Sequence, residues 1–226
     1  YTDISGNPLG GKICIYIIEE PAPDQKYSVS PEPGIVETLS ELTITFNNYT
    51  QLKPMGALKA YIQKDSRIRL FTLKDNMGAG HARNHSIKEA RGRYIAFCDS
   101  DDTWLPHKLE KQLAFMKENG YCFCFSSYFV GDESGNRTGI VIAPSSVTLS
   151  DTKRDDKIGF LTAIYDTSAH GKFYMPTLRK RQDWAYVLLI LRKCRKAYSL
   201  KEPLACYRRS RGSISSNKLS LLKFNA

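Results

Sequence analysis

The stretch Arg93-Tyr94-Ile95-Ala96-Phe97-Cys98-Asp99-Ser100-Asp101-Asp102 decides how the rest of the 226-residue chain is read. Tyr94 to Cys98 is a short apolar run with the aromatic and branched content of a buried strand. A strand buried on both faces belongs in a mostly parallel sheet with helices on either side. In such sheets ligands sit beyond the carboxyl ends of the strands, where Asp99, Asp101 and Asp102 fall. Carboxylates this close repel one another unless a cation or donor-rich ligand lies between them. Hard oxygen donors suit Mg²⁺ or Mn²⁺. The competing reading is a solvated turn leading to a helix capped by Asp102 or Thr103.

Outward from this stretch, strand and helix alternate. Strands are expected over 12–18, 41–46, 67–73 and 94–98, and helices over 56–64, 81–90 and 105–119. Ala82, Ile87 and Ala90 face inward on one helix, and Leu109, Leu113 and Met116 on the next. Prolines 21, 23, 31 and 33 forbid a regular helix after the first strand. Strands are expected over 121–130 and 138–142, then a polar mobile loop over 144–157. Gln182 to Cys194 reads as a helix with Trp184, Val187, Leu188 and Leu191 on one face, followed by a strand over 197–207. Alternation of this kind argues for an α/β domain with a mixed, mainly parallel central sheet. Residues 1–11 read as a lead-in. Residues 12–226 read as one domain, with a nucleotide-binding half (12–102) and an acceptor-binding half (103–218).

The net charge of +10 favours anionic partners such as phosphate-bearing substrates or an acidic membrane face. No nucleic-acid-binding motif accompanies it. No stretch is long and apolar enough to span a bilayer, and no secretory signal pattern opens the chain. Six cysteines lie scattered among apolar residues without a CxxC pair. They read as reduced core thiols of a cytoplasmic protein. His81, His85, His107 and His170 have no metal-ligand spacing.

Further segments carry candidate chemistry. Gly78-Ala79-Gly80 precedes a helix with Arg83 in its first turn, which is either an anion site or a plain turn. Asp183 near the start of a later helix either complements the dipole or acts as a general base. Arg208, Arg209 and Arg211, with serines 213, 215 and 216, form either a lid over a diphosphate or a frayed end.

Taken together, Asn76 to Asn84 and Gly92 to Trp104 resemble the core signature of family 2 glycosyltransferases, which have the GT-A fold. The match is dense from about Asp65 to Asn119 and resumes from about Asp156 to Lys218. The resemblance implies inverting transfer of a sugar from a nucleotide-diphosphate donor, a UDP-sugar, to a glycan or lipid-linked acceptor. It fits synthesis of cell-envelope polysaccharide at the inner face of a membrane. Asp99-Ser100-Asp101 is similar to the DxD motif, so Asp99 and Asp101 would hold Mn²⁺ or Mg²⁺, and Asp99 and Ser100 would contact the donor. Asp183 takes the place of the acidic base. Gly78 and Arg83 would meet the donor, and Arg209 and Arg211 match the segment that folds back on the diphosphate. Two departures stand out. The loop after the first strand is Glu19-Glu20-Pro21-Ala22-Pro23. The corner that normally reads Asp-Asp-Gly-Ser is Asn47-Asn48-Tyr49-Thr50, leaving Asn47 and Asn48 to meet the base. The alternative these departures raise is a degenerate member that binds nucleotide or glycan with little or no turnover.

Overall fold

A computed structural model describes the backbones of residues 14–18 and 41–47, and residues 63–73, 77–99, 102–132, 136–178 and 180–209. Expectations for Asn48, Ser100, Asp101, Arg211, the side chain of Asn47 and the lead-in lie outside the described residues.

One sheet of ten strands runs through the molecule. In chain order its strands are β1 (Cys14–Ile18), β2 (Glu41–Asn47), β3 (Ile68–Leu73), β4 (Tyr94–Cys98), β5 (Thr103–Trp104), β6 (Phe123–Gly131), β7 (Arg137–Val141), β8 (Ser146–Thr148), β9 (Ile164–Asp166) and β10 (Lys196–Arg208). The described helices are α1 (Ala79–Glu89), α2 (Lys108–Asn119), α3 (Leu149–Arg154) and α4 (Gln182–Cys194). The main path across the sheet is β3-β2-β1-β4-β9-β6-β10-β5.

The sheet is mixed, as the sequence leads one to expect, but its balance differs. Among the described pairings two are parallel, β2 with β3 and β6 with β10. Seven are antiparallel. Short connections account for part of this: only five residues separate β6 from β7, with the Asp132 N–H donating to the Asn136 carbonyl at 3.0 Å, and antiparallel neighbours need no crossover helix. Pro203 lies where the β6–β10 register shifts, a position that tolerates a residue unable to donate to the ladder.

All five residues of β4 are buried. Their alternation separates two cores. Ile95 and Phe97 join Ala82 and Ile87 of α1 and Tyr186, Val187, Ile190 and Leu191 of α4 on one face. Tyr94, Ala96 and Cys98 join Leu109, Leu113 and Met116 of α2 on the other. β6 repeats the pattern, with Phe123 and Phe125 in the first core and Cys124 in the second. A period of two thus puts helices on both faces of the sheet. The deep residues of α4 are Tyr186 and Ile190 as well as Val187 and Leu191, whereas Trp184 and Leu188 stay half-buried. The inward face of α4 is therefore turned from the one expected. The Trp184 indole Nε1 explains part of the shift, because it donates to the carbonyl of buried Thr152 in α3 at 2.8 Å.

Three further expectations are corrected. Residues 144–157 are not a structureless loop: they hold β8 and α3. Thr148 and Asp151 start α3 as a capping box, with Asp151 Oδ2 accepting from the Thr148 N–H at 2.9 Å. Asp102 and Thr103 cap no helix. α2 begins later, behind His107, and Thr103 pairs in β5 with Cys206. Cys122 and Cys194 are joined in a disulfide between the start of β6 and the end of α4, so not all cysteines are reduced thiols. Cys98, Cys124 and Cys206 are buried thiols, as expected of core cysteines.

Candidate active site

Asp99 follows the last residue of β4, where the buried run ends. Arg83, itself almost wholly buried, donates from Nη2 to Asp99 Oδ1 at 2.6 Å. Its guanidinium also lies 5.1 Å from the centre of the Phe160 ring. The pair fixes one oxygen of Asp99, whose side chain stays half-buried. Arg83 therefore reaches the site through Asp99, a contact the sequence did not disclose.

Asp102 is also buried, but it turns back into the fold. Its Oδ1 accepts from the Arg208 backbone N–H at 3.1 Å, and its own N–H donates to the Asp99 carbonyl at 2.9 Å. It clasps the end of β10 to the end of β4. Asn84, next to Arg83 in sequence, is likewise structural. Its amide donates to the Met175 carbonyl at 2.9 Å and accepts from the Met175 N–H at 2.6 Å.

Asp99 and Asp102 line a cleft of about 660 Å³ together with Tyr128 of β6, Asp156, Asp183 of α4 and Tyr207 of β10. Asp155, also in the wall, brings the carboxylates to five; Lys157 and Lys201 are its basic residues. Asp183 sits in the first turn of α4, where Arg181 in the left-handed region (φ 58°) turns the chain into the helix. One of its oxygens accepts from the Trp184 N–H at 2.9 Å, which holds the carboxylate at the helix start. Gly78 (φ 87°) opens α1, in a conformation that favours glycine. A Cβ on Gly80 would come 2.9 Å from the Gln182 side chain, so the small residue lets α1 approach the start of α4.

The expected site residues therefore divide. Asp99 and Asp183 meet in one cleft, although 84 positions separate them in sequence. Gly78 and Arg209 are not among the residues lining it. Arg209 is exposed, and its backbone N–H extends the β10 pairing to the Gly131 carbonyl at 2.9 Å.

Asp156 is a residue the sequence gave no reason to single out. Its side chain touches solvent at the cleft rim but is crowded by the cleft wall. That desolvation, with the nearby Asp183 charge second, pushes its carboxyl up to about 7. Burial likewise pushes the Tyr128 phenol up, reinforced by Asp156. Tyr128 packs closely against Gly159: a Cβ there would fall 2.5 Å from its ring. Only the surroundings of these residues, assembled from distant segments, mark them.

The donor set is hard oxygen throughout, the chemistry that suits Mg²⁺ or Mn²⁺ rather than a thiolate-seeking ion. No three of the described carboxylates bring an oxygen each within 4.8 Å of the others, so an ion here would draw on Asp99 together with groups outside the described residues. Among the described residues Asp99 is the half-buried carboxylate at the end of β4 that lines this cleft.

The fold is that of the GT-A class of glycosyltransferases. Solved structures of similar fold include those of TarS of S. aureus. The TarS 1–349 structure in complex with UDP-GlcNAc superposes with a TM-score of 0.58 at 19% identity, over 78% of this chain and 52% of that one. The model of the family described as "Glycosyl transferase family 2" matches residues 56–185, and the chain belongs to that family. Among curated relatives, the putative teichuronic acid biosynthesis glycosyltransferase TuaG of Bacillus subtilis is 43% identical over 167 residues, 74% of this chain and 66% of its own. The Escherichia coli UDP-Glc:alpha-D-GlcNAc-diphosphoundecaprenol beta-1,3-glucosyltransferase WfgD is 37% identical over 161 residues, covering 70% of this chain and 62% of its own. The chain thus spans somewhat under two thirds of the length of these relatives. No helix among the described residues is long and apolar enough to cross a membrane.

Proposed function

We propose that this chain carries the catalytic site of an inverting glycosyltransferase that moves a sugar from a UDP-sugar to a glycan or lipid-linked acceptor. The observation that carries the reading is the meeting of Asp99 and Asp183 in one acidic cleft. The names of the relatives support the substrate class: WfgD is named for a UDP-Glc donor and a diphosphoundecaprenol-linked acceptor, and TarS was solved with UDP-GlcNAc.

In this reading Asp183 accepts the proton of the acceptor hydroxyl as that oxygen attacks the anomeric carbon. The bond from the anomeric carbon to the diphosphate oxygen breaks on the opposite face, which inverts the configuration. Asp99, held by Arg83, and Asp101 would ligate Mn²⁺ or Mg²⁺, which when bound offsets the charge of the departing diphosphate. Gly78 and the first amides of α1, outside the described cleft wall and with no acidic residue in their turn, would meet the diphosphate of the donor. Ser100, Arg209 and Arg211 complete the donor contacts, and Asn47 and Asn48 meet the base.

The test is release of nucleoside diphosphate from a panel of sugar nucleotides, with Mn²⁺ and a diphospholipid-linked sugar acceptor. Transfer from a UDP-sugar, lost in Asp99→Ala, is the expected result. Tight UDP binding by calorimetry with no transfer for any donor contradicts the reading and leaves a binding protein instead.

A further inference from the structure

Away from the cleft, three residues distant in sequence converge. Cys122 precedes β6, Cys194 is the last residue of α4, and His170 lies in the turn after β9. One ligand atom from each, the two sulfurs and an imidazole nitrogen, lies within 4.8 Å of the others. Among the described residues this is the one group of its kind. The backbone holds the three segments together. The Cys122 carbonyl accepts from the Asp166 N–H at 2.9 Å, and the Thr167 carbonyl accepts from the Gly171 N–H at 2.7 Å, closing the turn that bears His170. Gly171 takes a positive φ of 70°, which gives the turn its sharp exit. Both cysteines are half-buried, and His170 is exposed.

We propose that Cys122, Cys194 and His170 form a binding site for Zn²⁺, distinct from the acidic cleft, which the disulfide closes when the pair is oxidised. Two thiolates and an imidazole are the soft and borderline donors that zinc selects, in contrast to the carboxylates of the cleft. Two Zn–S bonds of about 2.3 Å at a tetrahedral angle place the sulfurs about 3.8 Å apart. The Cα separation of 6.0 Å accommodates that spacing with side-chain rotation alone. Three protein ligands leave a fourth position for water. Entry to the metal-binding state requires an external thiol or phosphine reductant, which delivers two electrons and two protons to the S–S bond and is itself oxidised. Zinc then displaces the two thiol protons to solvent. The bound ion would join the start of β6, the end of α4 and the turn after β9, on elements whose other parts carry Tyr128 and Asp183.

The test uses the whole chain, reduced with a phosphine under anaerobic conditions and titrated with Co²⁺ as a spectroscopic stand-in for Zn²⁺. The expected result is one Co²⁺ with a thiolate-to-metal charge-transfer band, displaced by Zn²⁺. Cys122→Ser and Cys194→Ser each lose the band, while Cys124→Ala keeps it. His170→Ala weakens binding by at least the roughly 10- to 100-fold typical of losing a supporting partner. A second measurement on unaltered protein covers variants that fail to fold: Zn²⁺ should protect Cys122 and Cys194 from alkylation, read by peptide mapping, and EDTA should expose them. Metal bound without the thiolate band, a band that survives Cys194→Ser, no binding by the reduced chain, or equal alkylation with and without Zn²⁺ would each overturn the proposal.

Discussion

Lys108 shows how much a single residue can cost. It is fully buried at the start of α2, with Nζ 4.2 Å from the centre of the Trp104 ring and no hydrogen-bond acceptor among the described residues. Desolvation lowers its ammonium to about 7 from an ordinary 10.5. The unfolded chain therefore holds more protons than the folded one between about pH 7 and 10.5, so stability rises with pH across that window. Below pH 7 both states are charged and the penalty is present in full. Lys108→Met removes a penalty on the order of several kcal/mol. It should raise the melting temperature at pH 7 and flatten the stability gain between pH 7 and 10, both read by thermal denaturation. Asp156 follows the opposite sign. Its carboxyl, pushed up to about 7, is protonated in the fold where the unfolded chain is ionised, so its contribution to stability falls as pH rises from about 4 to 7. For function, ionising Asp156 adds a negative charge beside an anionic donor. UDP affinity at fixed Mn²⁺ should weaken through pH 7 by on the order of 1 kcal/mol, a step that Asp156→Asn removes in calorimetry at several pH values.

Among the elements, β4 was the most legible, because five buried residues in a row followed by carboxylates admit few readings. α2 was legible from Leu109, Leu113 and Met116 at helical spacing. α3 was not. Its six residues, Leu149 to Arg154, are mostly polar, and it depends on the Thr148–Asp151 capping box and on Trp184 of α4 rather than on an apolar face. The role of Asp102 was equally hidden, since its partner Arg208 lies 106 positions away. Gly159 illustrates an element contact that sequence could not disclose. Its φ of −61° suits any residue, so its small size serves the Tyr128 ring of β6 alone. Gly159→Ala should drive that ring aside, costing about 1–3 kcal/mol in chemical denaturation. Sugar transfer should fall with it, because Tyr128 lines the cleft. Stability unchanged within 0.5 kcal/mol, roughly the range of a neutral surface change, would mean that the contact relaxes freely.

At the scale of the whole molecule, a chain of net charge +10 surrounds a cleft with five carboxylates. The composition pointed to anionic partners but could not reveal a concentrated negative site, because the carboxylates come from the end of β4, the segment after α3 and the start of α4. Asp99 stood out at a strand end and Asp183 at a helix start, and the family resemblance gave each an expected role, whereas their shared cleft needed the fold. The mixed pairing of the sheet was only partly legible, since hydrophobic runs do not report strand direction. The account rests most heavily on Asp183 as the base that accepts the acceptor's proton. The direct measurement is kcat for sugar transfer in Asp183→Asn, with UDP affinity in the same variant read by calorimetry. The account predicts a loss of kcat of roughly 10²-fold or more with UDP affinity changed by less than about threefold. Transfer at the wild-type rate, or kcat retained with UDP binding abolished, would contradict it.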